Sequence, residues 1–152
     1  MGEEVQDTEY SLAHRREYRR KVQRCLDVFE TMLKESSFEF ERQLTGMEIE
    51  CNLVDSAYQP AMTNREVLQA IADPAYQTEL GAYNIEFNVP PRPLTGRSAL
   101  ELEADVRASL NAAEAKANGH DAHIVMVGIL PTLMPEHLTG RWMSESVRYQ
   151  AL

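Results

Sequence analysis

The sequence predicts a single domain in which helices pack against a β-sheet. Its 152 residues match the size of one ordinary domain, which can bury a core without disulfides or metals. Segments of helical periodicity alternate with segments in which apolar and polar residues strictly alternate. The resulting order is helix, strand, short helix, strand, long helix, strand. A parallel α/β sheet and a mixed α+β sheet are both compatible with that order.

The first helix is predicted over residues 9–35, where apolar residues at helical spacing form one stripe. The stripe consists of Tyr18, Val22, Cys25, Phe29 and Leu33. Between Arg15 and Arg24 the helix carries six cations and one acid, Glu17. Such a run is usually a solvated helix face, and the alternative is a docking surface for an acidic partner or a nucleotide. We expect residues 1–8 to form a disordered tail.

Two alternating segments predict strands at residues 47–54 and 83–89. On each strand, apolar side chains form one face and Glu and Asn side chains form the other. The polar faces carry Glu48, Glu50 and Asn52 on the first strand and Asn84, Glu86 and Asn88 on the second. Pro90 is expected to end the second strand. A third, nearly all-apolar strand over residues 123–130 is expected to be central and covered on both faces.

Two further helices are predicted from capping signals. A short helix should begin at Thr63, with Glu66 completing a capping box, and a long helix should begin at Ser98 with Glu101 in the same role. Residues 118–119, Asn-Gly, should end the long helix.

Composition restricts the classes of function. The net charge of −9 argues against general binding of nucleic acid. No apolar run approaches the roughly 20 residues of a membrane span, and the acidic N-terminus does not resemble a secretory signal. Cys25 and Cys51 lie in apolar patterns, which predicts buried thiols in a reducing compartment. These observations predict a cytoplasmic protein with no nucleic-acid or membrane partner.

The glutamates of the two polar faces have no Lys or Arg on the same faces to neutralise them. Like charges on neighbouring strands are destabilising, and a bound cation would remove the repulsion. Hard carboxylate oxygens suit Mg²⁺ or Mn²⁺. Gly81 permits a bend that would bring Glu79 towards the same cluster. The candidate metal ligands are therefore Glu48, Glu50, Glu79 and Glu86, and the alternative is an ordinary solvated strand face.

The sequence also resembles a known family. Residues 45–50 (Thr-Gly-Met-Glu-Ile-Glu), followed by residues 79–86 (Glu-Leu-Gly-Ala-Tyr-Asn-Ile-Glu), resemble the paired metal-binding strands of the bacterial and plant-type glutamate–cysteine ligases. Trp142 with Arg148 and Tyr149 resembles the Arg-Tyr motif that follows the third strand of these enzymes. The resemblance covers roughly residues 40–152, in the order found in the family.

The resemblance implies an α+β fold: a mostly antiparallel sheet with helices on one face, as part of a glutamine-synthetase-like catalytic domain. It implies ATP- and Mg²⁺-dependent ligation of the γ-carboxylate of glutamate to an amine such as cysteine, through an acyl phosphate, in glutathione biosynthesis. The four glutamates would hold Mg²⁺ (or Mn²⁺) on the ATP phosphates. Arg148 would contact a phosphate or a substrate carboxylate, or else be a solvated helix residue.

The sequence departs from the family in two ways. Asn84 stands where the family often has Gln, and the later strands that would supply a metal-binding His and further carboxylates are absent. His120, His123 and His137 do not fit that role by position. We therefore expect the N-terminal part of a longer ligase, inactive alone and prone to form a homodimer through an unpaired sheet edge. The alternative is a non-catalytic metal-binding or protein-interaction module.

Overall fold

The computed structural model describes residues 9–150, and its centre is a four-stranded antiparallel sheet in the order β2-β3-β1-β4. The predicted tail over residues 1–8 lies outside the described residues. The helices and strands are α1 (Leu12–Glu35), β1 (Leu44–Val54), α2 (Asn64–Ile71), β2 (Tyr76–Thr78), β3 (Asn84–Pro93), α3 (Ser98–Ala117), β4 (His123–Val125) and α4 (Val147–Gln150). The antiparallel α+β fold is confirmed, and the parallel alternative is excluded.

The pairing of β1 with β3 forms the middle of the sheet. Cys51 lies opposite Ile85 and Glu50 lies opposite Glu86, so the two faces alternate in step along both strands. The apolar face packs against α2 and α3 in one core that contains Leu53, Val67, Phe87, Ala113 and Ala117. The predicted division into an apolar face and a glutamate face is confirmed. A shift of one residue would bury the glutamates.

The short strand β2 was not predicted from the sequence, and it extends the sheet beyond β3. Tyr76 in β2 stacks on Phe87 with the ring centroids 4.5 Å apart and the rings nearly parallel. The Tyr76 hydroxyl also lies 3.0 Å from Ser109 Oγ in α3. These contacts join the edge of the sheet to the helix layer.

The prediction that Pro90 ends the second strand is wrong, because β3 continues to Pro93. Pro90 and Pro91 have no N–H to donate, but they lie where the β1–β3 register shifts between Thr45 and Met47. Such an irregularity tolerates proline because the regular ladder is already interrupted there.

The prediction of a central strand over residues 123–130 is also wrong. β4 has three residues, lies at the edge of the sheet and, within residues 9–150, pairs only with residues 52–54 of β1. Met126, Val127 and Ile129 are exposed, and Ile129 retains 82% of its accessible surface. An apolar run is compatible with a buried strand, but it does not provide the covering layers that burial requires.

The helices were predicted correctly in kind but not in their caps. Thr63 makes no capping hydrogen bond within the described chain. Ser98 is already helical, and its Oγ accepts a 2.7 Å hydrogen bond from Thr95 N. The left-handed residue after α3 is Asp121 rather than Gly119. Local sequence identifies these helices, but the loop geometry determines which residue caps them.

The first helix, α1, is present but lies apart from the core. Ser11 Oγ caps it by accepting a hydrogen bond from His14 N, and left-handed Ser36 ends it. Within the described range, none of its 24 residues is buried. The predicted apolar stripe is therefore uncovered. Among the helices of residues 9–150, none combines the length and apolar character that crossing a bilayer requires.

The two cysteines occupy different environments. Cys51 is fully buried in β1, as predicted, whereas Cys25 is exposed on α1, so its predicted burial is wrong. Burial raises the pKa of the Cys51 thiol to about 11, because the thiolate is poorly solvated in the core.

We predict that the folded chain presents one reactive thiol. At pH 8, below the raised pKa of Cys51, a disulfide reagent such as DTNB should titrate one thiol per chain in dilute, monomeric protein, and two after denaturation in guanidinium. Cys25→Ser should abolish the fast reaction, whereas Cys51→Ala should retain it. Two fast-reacting thiols in the native protein would contradict the placement of Cys51 in the core.

Candidate functional site

A polar cleft of about 360 Å³ lies over the glutamate face of the sheet. It gathers residues from β1, β2, β3, α4 and the loops before β3 and α4. The lining residues are Glu48, Glu50, Gln77, Thr78, Glu79, Glu86, Glu145, Ser146, Arg148 and Tyr149. All four predicted metal ligands and the predicted substrate-binding Arg148 therefore line one cleft. Glu145 and Gln77 are additional lining residues that the sequence analysis did not identify.

Glu86 occupies the middle of this cleft. Its Cα is paired with Glu50 on one side and with Gln77 on the other. Only 7% of Glu86 is exposed, and its Oε1 is buried without a hydrogen-bond partner among the described residues. A buried carboxylate oxygen with no donor is costly, and the Glu50 carboxylate on the neighbouring strand adds repulsion. A ligand that supplies positive charge would relieve both effects.

Glu79 reaches the cleft because the loop before β3 is bound to the segment before α4. Ser144 Oγ donates to the Glu79 carbonyl, and Ser144 N donates to Leu80 O at 2.9 Å. Ala82 N donates to Trp142 O at 2.8 Å. The Glu79 carboxylate itself accepts a 2.9 Å hydrogen bond from Leu80 N. Glu79 therefore lines the same cleft as Glu48, Glu50 and Glu86.

Gly81 allows the close approach on which this loop depends. A Cβ at that position would lie 2.7 Å from Tyr83 Cε1 and 2.8 Å from Asn84 Oδ1. Neither distance is tolerable for a methyl carbon, so only glycine permits this packing without a shift of the neighbouring side chains.

Asn64, at the start of α2, connects the two segments from the side of the core. It is 5% exposed, and its Nδ2 lies 2.8 Å from Ser144 Oγ, 3.1 Å from Asn84 O and 3.2 Å from Gly81 O. Its backbone N donates to Ala82 O at 3.0 Å. This buried side chain holds the walls of the cleft together. Its partners are distant in sequence, so no local pattern could have identified it.

The short helix α4 forms the wall opposite the sheet. Tyr149 is buried, and its hydroxyl donates to Thr78 O at 3.5 Å. The Arg148 guanidinium carbon lies 5.7 Å from the Tyr149 ring centroid. Arg65 of α2 forms an ion pair with Glu145, in which Arg65 Nη1 donates to Glu145 Oε2 at 3.1 Å. Hydrogen bonding to Glu66, followed by attraction to Glu145, raises the pKa of Arg65.

The polar face is uncharged beyond Glu50. Asn84 Nδ2 donates to Asn52 Oδ1 at 2.9 Å, and Asn52 Nδ2 donates to Val127 O at 3.1 Å. These amides are satisfied by one another and by the backbone. Asn52 and Asn84 therefore have a structural role that joins β3, β1 and the segment after β4.

The histidines do not enter the cleft lining. His123 Nδ1 lies 2.9 Å from Glu114 Oε1, and the second oxygen of Glu114 accepts from Ile124 N at 2.6 Å. His137 Nδ1 accepts from Met134 N at 3.0 Å. Both have local structural partners.

The donor set of the cleft fits a hard cation only in part. Within residues 9–150, no three His, Cys, Asp or Glu side chains converge closely enough to hold a metal ion by themselves. The chemistry of five lining glutamates and the orphaned Glu86 oxygen nevertheless suit Mg²⁺ or Mn²⁺. Mg²⁺ commonly takes one or two protein carboxylates and completes its octahedron with water and substrate phosphates. These carboxylates could therefore supply part of the coordination of a hard cation, whose remaining ligands would have to come from water or a bound molecule.

Comparisons with models of protein families, with curated protein sequences and with solved structures found no match. The glutamate–cysteine ligase resemblance stays a prediction, and the cleft is the feature of the structure that bears on function.

We predict that Asn64→Ala loosens the cleft without unfolding the sheet. Loss of the amide leaves buried acceptors unpaired, which should cost about 1–3 kcal/mol of unfolding free energy in urea. In this variant the backbone amides of Leu80, Ala82 and Trp142 should exchange hydrogen faster than in the parent chain, and faster than those of β1. The control is Asn111→Ala on the exposed face of α3, which should change stability by less than about 0.5 kcal/mol. Equal protection of these amides in both variants would contradict the role assigned to Asn64.

Proposed function

We propose that the polar cleft binds Mg²⁺ or Mn²⁺ together with the phosphates of ATP, and that the intact protein is a carboxylate–amine ligase. It would join the γ-carboxylate of glutamate to an amine such as cysteine through an acyl phosphate. The observation that carries the proposal is the convergence of Glu48, Glu50, Glu79, Glu86 and Arg148 on one cleft. These residues come from four separate segments of the chain, and they are the residues to which the resemblance to glutamate–cysteine ligases assigns the metal and the substrate.

Charge supports a cation with a phosphate ligand rather than either one alone. Five glutamates line the cleft together with Arg148, so a free nucleotide would be repelled and a free cation would meet few converging ligands. A cation–triphosphate complex would suit this lining better, because the glutamates would hold the cation and Arg148 would pair with a phosphate or a carboxylate.

The residues would act by position and charge. Glu48, Glu50, Glu79 and Glu86 would hold the divalent cation, whose charge would offset that of the phosphates when the γ-phosphoryl group of ATP is transferred to the glutamate carboxylate and ADP leaves. Glu48, Glu50 and Glu86 lie on rigid paired strands, which hold that charge in place without reorganisation. Glu79 lies on the Ser144-bound loop, and Arg148 closes the opposite wall. The substrate amine would then displace phosphate from the acyl group. This step depends more on the orientation of the two reactants than on a catalytic side chain.

A non-catalytic binding module is the second candidate. It is favoured by the absence, among residues 9–150, of a group of three converging metal ligands. Such a module would bind the cation–nucleotide complex or another cationic ligand and would not turn it over.

We predict that the cation and the nucleotide stabilise the chain together. Mn²⁺ plus a non-hydrolysable ATP analogue should raise the melting temperature by more than the sum of the two separate shifts. The expected rise in melting temperature is roughly 2–4 °C for each kcal/mol that ligand binding adds to the free energy of unfolding. Glu86→Gln should remove the gain, and it should raise the melting temperature without ligand because a buried carboxylate becomes neutral.

The matched control is Glu103→Gln on α3, where Glu103 pairs with Arg107 away from the cleft. It removes the same charge and should keep the ligand-induced gain. Isothermal calorimetry should show similar ligand affinity for the parent chain and Glu103→Gln, and weaker affinity for Glu86→Gln. A melting temperature that does not respond to Mn²⁺ and nucleotide, singly or together, would refute the cleft as their binding site.

The ligase proposal has its own measurement. For the 152-residue chain we expect negligible γ-glutamylcysteine formation, because catalysis needs ligands on every side of the triphosphate and partial sets do not give proportional rates. The longest protein that the gene encodes should release ADP only with glutamate and an amine both present, and Glu48→Gln should abolish this release. Nucleotide binding without glutamate-dependent turnover in that protein would favour the binding module.

A further inference from the structure

The helix α1 presents an apolar stripe that nothing in the described chain covers. Five large apolar side chains of this stripe, spaced three or four residues apart, keep between 38% and 69% of their surface exposed. They are Tyr18, Val22, Leu26, Phe29 and Leu33. From Tyr18 to Leu33 the stripe runs roughly 22 Å along the helix at 1.5 Å per residue.

The stripe continues past the end of the helix. The rings of Phe29 and Phe38 meet edge to face at 6.4 Å between centroids, and Phe38 meets Phe40 in the same way at 6.2 Å. Phe38 and Phe40 are themselves exposed. A continuous apolar surface of this length is typical of a helix that packs against another helix, since monomers rarely leave one in water.

The spacing favours a helix as the occupant. Tyr18, Val22, Cys25, Phe29 and Met32 follow steps of four and three, which is the seam of a two-helix coiled coil. Leu26 and Leu33 border that seam and widen it.

The charges of α1 are divided between its halves, and this division indicates how a second helix would lie. The N-terminal half, residues 12–24, carries six cations and one carboxylate, and the C-terminal half, residues 25–35, carries three carboxylates and one cation. A parallel pair of α1 helices would place two strongly basic halves side by side. An antiparallel pair places each basic half beside an acidic half.

The side-chain positions agree with this charge division. Arg19 and Glu30 are separated by eleven residues, about three full turns, so they lie on the same flank of the stripe, within roughly 20° around the axis. When two copies are crossed near residue 24, Arg19 of one copy lies beside Glu30 of the other. We propose that α1 is a self-association surface that pairs antiparallel with α1 of a second copy of this chain.

The test is the oligomeric state of the full 152-residue chain by sedimentation equilibrium. We expect a dimer at tens of micromolar. Val22→Glu with Phe29→Glu should weaken self-association by more than about tenfold, because charges would be buried in the seam. The matched control is Ala13→Glu with Thr31→Glu, which adds the same charge on the opposite face of α1 and should leave the dimer intact. Fluorescence of Trp142, outside α1, should be native in every variant.

Orientation is tested by charge reversal and by distance. Arg19→Glu and Glu30→Arg should each weaken the dimer, and the two together should restore it. A spin label at Ala13→Cys in a Cys25→Ser background should report about 3 nm between copies, against about 1 nm for a parallel pair. Buried Cys51 should not react with the label.

A monomer at these concentrations would overturn the proposal, as would a dimer that the seam variant leaves intact. A label distance near 1 nm would overturn the antiparallel arrangement. Glu86→Gln, in the cleft, should not change the dimer. Dissociation of the dimer by Glu86→Gln would overturn the proposal, because it would show that the basic half of α1 docks on the acidic cleft of the second copy.

Discussion

The register between β1 and β3 is the constraint on which the rest of the structure depends. Cys51 opposite Ile85 places one face of the sheet in the core, and Glu50 opposite Glu86 follows one step away on the other face. Because strand side chains alternate, the core and the glutamate cluster are two results of a single pairing. Burial of Leu53, Ile85 and Phe87 provides the stability that offsets the repulsion among the carboxylates. The acidic cleft is therefore stable because the opposite face is well packed.

The features predicted correctly from the sequence are those whose signal is local and periodic. Alternation in β1 and β3 predicted both faces of the sheet, and Glu79 lines the same cleft as the glutamates of those strands. The features predicted wrongly depend on what surrounds them in the fold. Residues 126–129 are as apolar as a buried strand, but β4 pairs with β1 through residues 52–54, and within residues 9–150 no layer covers the segment that follows. The stripe on α1 was identified correctly, and its periodicity contained no information on whether a partner covers it.

The cleft depends on residues that no motif identifies. Asn64 follows a residue that was expected to cap α2, and its amide instead binds backbone and hydroxyl groups of two distant loops. Asparagine at a helix start usually serves its own helix. In this chain the buried Asn64 amide does not cap α2. It donates hydrogen bonds to residues 81, 84 and 144 and so holds distant segments together. Only the three-dimensional arrangement distinguishes these two uses of the same residue type.

The hydrogen bond between Asn64 and Ser144 also has a consequence for the order of folding. It joins residues that are 80 positions apart, so its formation must close one of the longest loops of the chain. The β1–β3 pair and the packing of α2 and α3 involve shorter separations and are expected to form earlier, because loop-closure entropy delays distant contacts. The wall that carries Arg148 would then attach to an existing sheet late in folding. Weakening of the Asn64 contacts should therefore accelerate unfolding more than it slows folding.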